Sequence, residues 1–556
     1  MVSDFEYVKQ TYQLQLKPFF KRTLWVHGNK EGVYSIDHHG REFRCNWHEE
    51  YERLCRLASA LKVMDVRPGD KVGCFAWNTH RAGELSFAIP MMGLVFHPIN
   101  IRYSKEHLVH TINKSKDKVM FVDEDLIPLV ENIKDDLNTV NSYVIMTPSD
   151  ILPQTKLSPV YSYEEILYQA SDTYDFPDDI PENALVVQCY TGGTTGLPKG
   201  IGWSSRSIVL GCLGQSGIDQ DEYSEEDTVL ISTNLFHANS QNFGWATLMS
   251  GGKLVWPGPH PSLSILLSLI EKERVTYLLG ASTVIALAIQ EWEKGSYDLT
   301  SLRKVRGGAT APSKAVMGWL DRRGIKFSWA YGMAESPGNF TKTVSHGKYM
   351  KDWSREKYIE KATQQGYPIP GVEIRVVNRS TGSDVAWDGR EIGEVIARGP
   401  SVIEGYYNEP ETDREVFKDG WLQTGDLAVV EDDGYIRLVD RIKDIIKSGG
   451  EWISSIDLEN AIMDNPVVRQ AVVFGILDPK WDERPVAAVV LKDQWKATTK
   501  KEDITRPLLS RFASWWIPDH VIFVDELPVT GTMKVMKMIL RDMWREGKLQ
   551  QKRPKQ

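Results

Sequence analysis

Short apolar runs recur along this 556-residue chain, and stretches of helical periodicity separate them. The runs include "KVGCFAW" (71–77), "VMFVD" (119–123), "SYVIM" (142–146), "ALVVQCY" (184–190), "TVLIST" (228–233), "KLVWP" (253–257) and "VTYLLG" (275–280). A strand that is apolar throughout must be covered on both faces, and crossover helices supply that cover for a parallel sheet. The intervening segments read as those helices. In 46–64, Asn46 is a candidate N-cap with Glu49 three residues later, and Trp47, Tyr51, Leu54, Ala58 and Leu61 form one apolar face. A helical run follows through 81–95, and another sits in "SILLSLIEKE". The alternation predicts an α/β fold.

Near residue 440 the character changes. "GYIRLVDRIKDIIKSGGEWISS" predicts short strands around a glycine turn, with Ser454 or Ser455 capping the helix "SIDLENAIMD". Strand-like "QAVVFGI" and "PVAAVVL" follow, then an amphipathic helix in "MKMILRDMWRE". These readings predict a large domain over 1–440 and a small one over 441–556, joined at 440–443. The formal charge is −9 with both signs finely interspersed, which argues against nucleic acid as a partner. The five cysteines lack C-x-x-C spacing, which fits a reducing compartment rather than a disulfide framework or a zinc–thiolate site. No apolar stretch reaches the roughly 18 residues of a membrane span, and neither end carries a recognisable address. The expectation is a cytoplasmic protein.

The segment "YTGGTTGLPKG" (190–200) follows directly on an apolar run. A glycine-rich turn after a strand lets backbone N–H groups converge on an anion, and Thr191, Thr194 and Thr195 add hydroxyl donors. Gly192, Gly193 and Gly196 permit close approach, and Lys199 adds charge. Lys199 follows Pro198 and precedes Gly200, so the P-loop pattern with its magnesium-binding Ser or Thr is absent. Taken alone, its glycine richness favours a flexible turn.

Six further segments decide between the two readings. They are "FHANS" (236–240), "RGGATAP" (306–312), "YGMAES" (331–336), "WLQTGD" (421–426), "DRIKDIIKSGGEWISS" (440–455) and "PVTGTMK" (528–534). In this order, together with the glycine–threonine loop, they resemble the adenylate-forming superfamily, and most closely its medium- and long-chain fatty acyl-CoA synthetases. The resemblance implies a large N-terminal domain of αβαβα layered sheets plus a distorted β-barrel, and a small mobile α+β C-terminal domain. It implies an ATP-dependent acid–thiol ligase: a carboxylic acid is activated as acyl-AMP with release of pyrophosphate, then passed to coenzyme A.

The resemblance also implies roles. The loop over Thr191, Gly192, Gly193, Thr194, Thr195, Gly196 and Lys199 holds the β- and γ-phosphates of ATP. Tyr331 stacks on adenine, with Gly308, Ala309, Thr310, Gly332 and Ala334 along the nucleotide. Asp426 accepts from the ribose hydroxyls beside Arg441. Glu335 binds Mg2+, with Thr191 as a second ligand. Lys534 is the main catalytic side chain, because a positioned ammonium offsets the charge built as a carboxylate attacks the α-phosphate. Lys537 lies three residues beyond it, and only motif position separates the two. Lys443 is the hinge, and Ser448, Gly449, Gly450, Glu451 and Trp452 receive the pantetheine arm of CoA. The acyl pocket is expected from His237, Asn239, Gln241, Asn242, Trp245, Gly307 and Gly332, with His237 also among the catalytic residues. Asn239, Gln241 and Asn242 are polar for an alkyl tunnel. Either they face solvent, or the acid is short, hydroxylated or aromatic. The resemblance also admits a homodimer.

Three positions depart from the pattern: Gly192 stands for a hydroxyl residue, Ala334 for Thr, and Met533 for the glycine before the catalytic lysine. A lost neutral hydrogen bond costs about 0.5–1.5 kcal/mol, which slows a reaction without abolishing it. The competing classes are a non-catalytic ligand-binding protein and an amino-acid adenylation domain. The second usually carries an Asp where this chain has His237.

Overall fold

The computed structural model describes residues 11–147, 152–191, 197–217, 222–295, 297–308, 312–343, 353–449, 451–529 and 535–549. Two large sheets dominate. One has seven strands in the order Val160–Ser162, Ser142–Met146, Asp117–Asp123, Lys71–Phe75, Val95–Pro98, Leu185–Thr191, Lys199–Ser204. All its pairings are parallel except the last, which is an antiparallel hairpin. The other has nine strands, with a parallel centre built from Lys326–Tyr331, Lys304–Gly308, Tyr277–Ala281, Thr228–Ile231, Lys253–Trp256 and Glu31–Ile36. Short antiparallel strands close both of its edges.

Helix His80–Met91 shows why the layers form. Every one of its residues is buried. It touches Glu31–Ile36 of one sheet and Lys71–Phe75, Val95–Pro98 and Leu185–Thr191 of the other, so it is the middle layer of an αβαβα stack. A helix there must be apolar all round or satisfy its charges internally. Glu84 does so, accepting from Arg53 at 2.7 Å and from the Tyr163 hydroxyl at 2.5 Å. The predicted helix through 81–95 is shorter than the sequence reading, because Val95–Pro98 joins the seven-stranded sheet. The Asn46–Glu49 capping box is formed, with both reciprocal hydrogen bonds in place.

A third, antiparallel sheet stands where the resemblance implies a distorted barrel. It contains Glu373–Val377, Gly393–Arg398, Trp421–Val430, Phe417–Lys418 and Ile436–Arg441. A fourth sheet follows Arg441 and has a core of its own around Ile446, Leu458, Val473, Ala487 and Val521. Ser454 caps helix Ser455–Met463 as the sequence predicts. The same helix is tied back across 440: Asp440 accepts from the Ser455 backbone at 2.8 Å and from the Ser455 hydroxyl at 2.5 Å.

Candidate active site

Hairpin register sets the first half of the site. Thr191 and Lys199 are cross-strand partners, so both ends of the glycine–threonine turn are pinned. The turn itself, Gly192 to Gly196, lies outside the described residues, as do Ala309, Thr310, Gly450 and Lys534. Segment 403–407 packs over this hairpin, with the Tyr407 N–H donating to Gly200 O at 2.8 Å. The next tyrosine back, Tyr406, carries the Lys199 ammonium 5.6 Å from its ring centroid.

Tyr406 also reaches Glu335. Its hydroxyl donates to Glu335 Oε1 at 2.7 Å, while the Ile403 N–H donates to the Glu335 backbone carbonyl at 2.9 Å. The carboxylate is 3% exposed and its second oxygen, Oε2, has no partner among the described residues. A buried carboxylate oxygen left unpaired is costly, and burial accordingly pushes the Glu335 carboxyl above the usual range. A hard cation removes both costs, so the donor chemistry here fits Mg2+. The neighbouring Ala334 backbone carbonyl is held by the Trp203 indole N–H at 2.9 Å. Tyr406 escaped the sequence reading because it lies 71 positions from its partner, and its only local signal is an aromatic pair after Gly405.

The second half of the site joins three residues from two sheets. Tyr331 ends strand Lys326–Tyr331 and donates its hydroxyl to Asp426 Oδ2 at 2.7 Å. Asp426 and Arg441 face each other on adjacent strands, and Arg441 Nε meets Asp426 Oδ1 at 3.1 Å. Tyr331 is buried, with its ring edge-on to Phe340 at 5.7 Å. The two halves share one field. Asp426 and Arg441 both act on Glu335, and Arg441 and Lys199 both lower the Lys443 ammonium, with burial the larger cause. Cations crowded in this way are relieved by a polyanion.

Lys537, the rival of Lys534, is committed elsewhere. Its ammonium is buried against Glu459 at 2.8 Å and also binds the Ser455 hydroxyl. Around the turn expected to receive CoA, the Ser448 hydroxyl accepts from Arg484 at 3.1 Å, and Gly449 takes φ +61° with its N–H on the Trp481 carbonyl. Glu451 is exposed, and Trp452 packs beside Ile442 against the cluster of Leu427, Val439 and Ile445.

The acyl-pocket candidates divide. His237 sits at the start of helix Ala238–Ser250, half-buried against Phe236. Gln241 and Asn242 do not face solvent: they are 4% and 1% exposed, because the helix presents that side to the interior. Gln241 donates to Leu235 O at 3.2 Å. The Asn239 side chain lies outside the description. Trp245 is a core residue, its ring edge-on to Phe87 at 5.0 Å. Gly307 leaves no room for a side chain, since a Cβ would meet Ser282 Oγ at 2.8 Å and Phe327 at 2.9 Å. Gly308 O faces the Ser282 hydroxyl, and Gly332 is exposed beside Asn339. Two buried amides keep an end unpaired among the described residues: Asn242 Nδ2, beside Gly211, and Asn339 Oδ1, beside Gly332. Sequence reading missed Asn339, which has no motif signal.

Burial, with the Arg102 charge adding to it, pushes the His237 imidazole down to about 4. The unfolded chain titrates His near 6.5. Between those values the unfolded state takes up a proton that the folded state refuses, so stability falls as pH drops from about 6.5 toward 4. Urea midpoints at pH 7 and pH 5 are expected to diverge less in His237→Gln than in the parent. An equal divergence would show that His237 does not titrate in this way.

The description "AMP-binding enzyme" matches residues 20–407, and "AMP-binding enzyme C-terminal domain" matches 457–534. A long-chain-fatty-acid–CoA ligase of Thermus thermophilus is 37% identical, over 96% of this chain and 96% of its own. A 3-methylmercaptopropionyl-CoA ligase of Ruegeria lacuscaerulensis is 36% identical, over 97% and 98%. Among solved structures, the anthranilate CoA ligase AuaEII in complex with anthranoyl-AMP superposes with a TM-score of 0.86 at 24% identity, over 97% of this chain and 99% of that one.

Proposed function

The chain belongs to the AMP-binding enzyme family and is an AMP-forming acid–thiol ligase, and on that premise we propose which acid it takes and how its residues divide the work. In the first step a carboxylate oxygen of the acid attacks the α-phosphorus of ATP, and the bond to the bridging oxygen breaks to release pyrophosphate. In the second, the CoA sulfur attacks the acyl carbonyl, its proton leaves, and AMP departs with the ester oxygen.

One observation carries this reading: Glu335 Oε2 lies buried and unpaired within the field of Asp426 and Arg441. Glu335, with Thr191 beside the loop, would hold Mg2+, which when bound supplies charge neutralisation to the polyphosphate. Lys199 and the loop residues hold the β- and γ-phosphates, and Tyr331 and Asp426 hold the nucleoside. Lys534 bridges the attacking carboxylate and the α-phosphate. The boundary at 440–443 is the hinge, with Lys443 as its pivot, and the turn Ser448–Trp452 guides pantetheine. We place the protein in the cytoplasm; the five free, buried cysteines support a reducing compartment. No described helix is long and apolar enough to cross a membrane.

The proposed acid is a medium- or long-chain fatty acid, supported by the identity to the Thermus enzyme. A second reading, a short, hydroxylated or aromatic acid, has its own support in the unpaired Asn242 Nδ2 and Asn339 Oδ1. Sites that hydrogen-bond a substrate group reject analogues lacking it by as much as about 10⁴–10⁵-fold, so the two readings separate sharply. Pyrophosphate release across acids of graded length and polarity, with and without CoA, tests them. Linear alkyl acids turning over fastest, and only with CoA, is the expected result. A polar or aromatic acid ahead of every alkyl acid would overturn the chain-length proposal, and no pyrophosphate from any acid would favour a ligand-binding protein.

A further inference from the structure

Away from the nucleotide site, two remote segments bring His38, Asp123 and Asp125 together. Their ligating atoms all lie within 4.8 Å of one another. His38 sits in the tight turn between Glu31–Ile36 and Glu42–Asn46, where Gly40 has φ +72°. Asp123 ends a strand of the other large sheet, and Asp125 sits in the short turn after it. His260 adds a fourth group from the loop beyond Lys253–Trp256, its Nε2 3.1 Å from Asp125 Oδ2. Its backbone is held at φ +46°, a strained value for a residue with a side chain.

The distances suit metal ligands as well as an ion pair. His38 Nε2 lies 3.3 Å from Asp125 Oδ1 and 3.7 Å from Asp123 Oδ2, is buried, and has no well-aligned hydrogen bond among the described residues. A charge-assisted N–H···O bond is about 2.7–2.9 Å long. The same sheet contains one: His97 Nδ1 meets Asp117 Oδ2 at 2.7 Å. Ligands at about 2.0–2.1 Å from a tetrahedral ion stand about 3.3–3.4 Å apart, close to the His38 spacings. Both carboxylates are also oriented by hydrogen bonds from Trp77, as metal ligands are by outer partners. The Trp77 backbone N–H donates to Asp123 Oδ2 at 2.7 Å, and the Trp77 indole N–H donates to Asp125 Oδ2 at 3.0 Å.

We propose that His38, Asp123 and Asp125 bind one divalent first-row transition ion of the zinc class, with His260 or water completing its shell. The ion staples the first hairpin of the nine-stranded sheet to the seven-stranded sheet. Imidazole with two carboxylates suits zinc, cobalt or manganese better than the all-oxygen preference of magnesium, so this site and Glu335 select different ions.

The test uses the full chain, freed of metal by chelator and dialysis, with CoCl2 as the probe. The expected result is one equivalent of Co2+ giving visible d–d absorption, displaced by Zn2+, unaffected by millimolar Mg2+, and accompanied by a raised Tm. His38→Gln and Asp125→Asn are each expected to weaken Co2+ binding at least about tenfold, and Glu335→Gln to leave it unchanged. Absence of Co2+ binding by the parent chain overturns the proposal whether or not the variants fold. So does equal binding by the parent and either ligand variant, or Co2+ that Mg2+ removes.

Discussion

Replacing Lys534 with alanine is expected to lower acyl-adenylate formation about 10²–10³-fold or more, while thioester formation from supplied acyl-AMP stays near the parent rate. The magnitude follows from removing one positioned charge from a transition state that gathers two anions. The asymmetry follows from chemistry, since the attack of sulfur on a carbonyl carbon builds no charge between two anionic reactants. The control is Lys537→Ala. Lys537 is buried against Glu459 and Ser455, so its loss should lower Tm and depress both half-reactions together. Single-turnover rates for each half-reaction, read beside Tm, separate the outcomes. Equal loss of both half-reactions in Lys534→Ala at unchanged Tm would remove the role assigned to it.

Glu335→Gln carries the second large effect. The amide keeps an oxygen for the Tyr406 hydroxyl but loses the charge that faces the buried, unpaired position. Pyrophosphate release should fall about 10²–10³-fold, with half-saturation by Mg2+ moved to higher concentration. The sign of the pH dependence is fixed by the same carboxyl. Burial raises it, only its ionised form binds a cation, and a proton therefore displaces Mg2+ as pH falls through that raised value. In the parent, activity should drop on the acid side at a pH above the ordinary carboxylate range, and added Mg2+ should shift the drop downward. In Glu335→Gln that Mg2+-dependent shift should vanish. A variant with parent Mg2+ dependence would place the metal elsewhere.

What was legible in the sequence was local. Asn46 and Glu49 announced a capping box because both partners lie within one turn, and Ser454 announced the last domain's first helix for the same reason. Continuous apolar runs announced strands buried on both faces. The runs carried no strand order, which depends on pairings such as Val33 with Leu254 across more than two hundred residues. Pocket residues were the least legible. Gln241 and Asn242 look like solvent-facing residues by composition, yet a helix packed on all sides buries them. Trp245 looks like a pocket wall by its place in the motif, yet its ring fills the core against Phe87. In each case the deciding partner came from a different segment, and no periodicity names it. The ordered motifs did carry the family, which the matches over 20–407 and 457–534 bear out.

Asp426 and Arg441 occupy facing positions on strands Trp421–Val430 and Ile436–Arg441, and Lys443 follows Arg441 by two residues. If Lys443 is the pivot, rotation there begins two residues from Arg441, which is paired with Asp426. The proposed nucleotide grip and the proposed pivot would then form a single lever arm, with motion of one end felt at the other as torque on the Arg441–Asp426 pair. Release of AMP would then not wait for a separate opening event, because the turn proposed to bring in the thiol would already loosen the residues proposed to hold the leaving group.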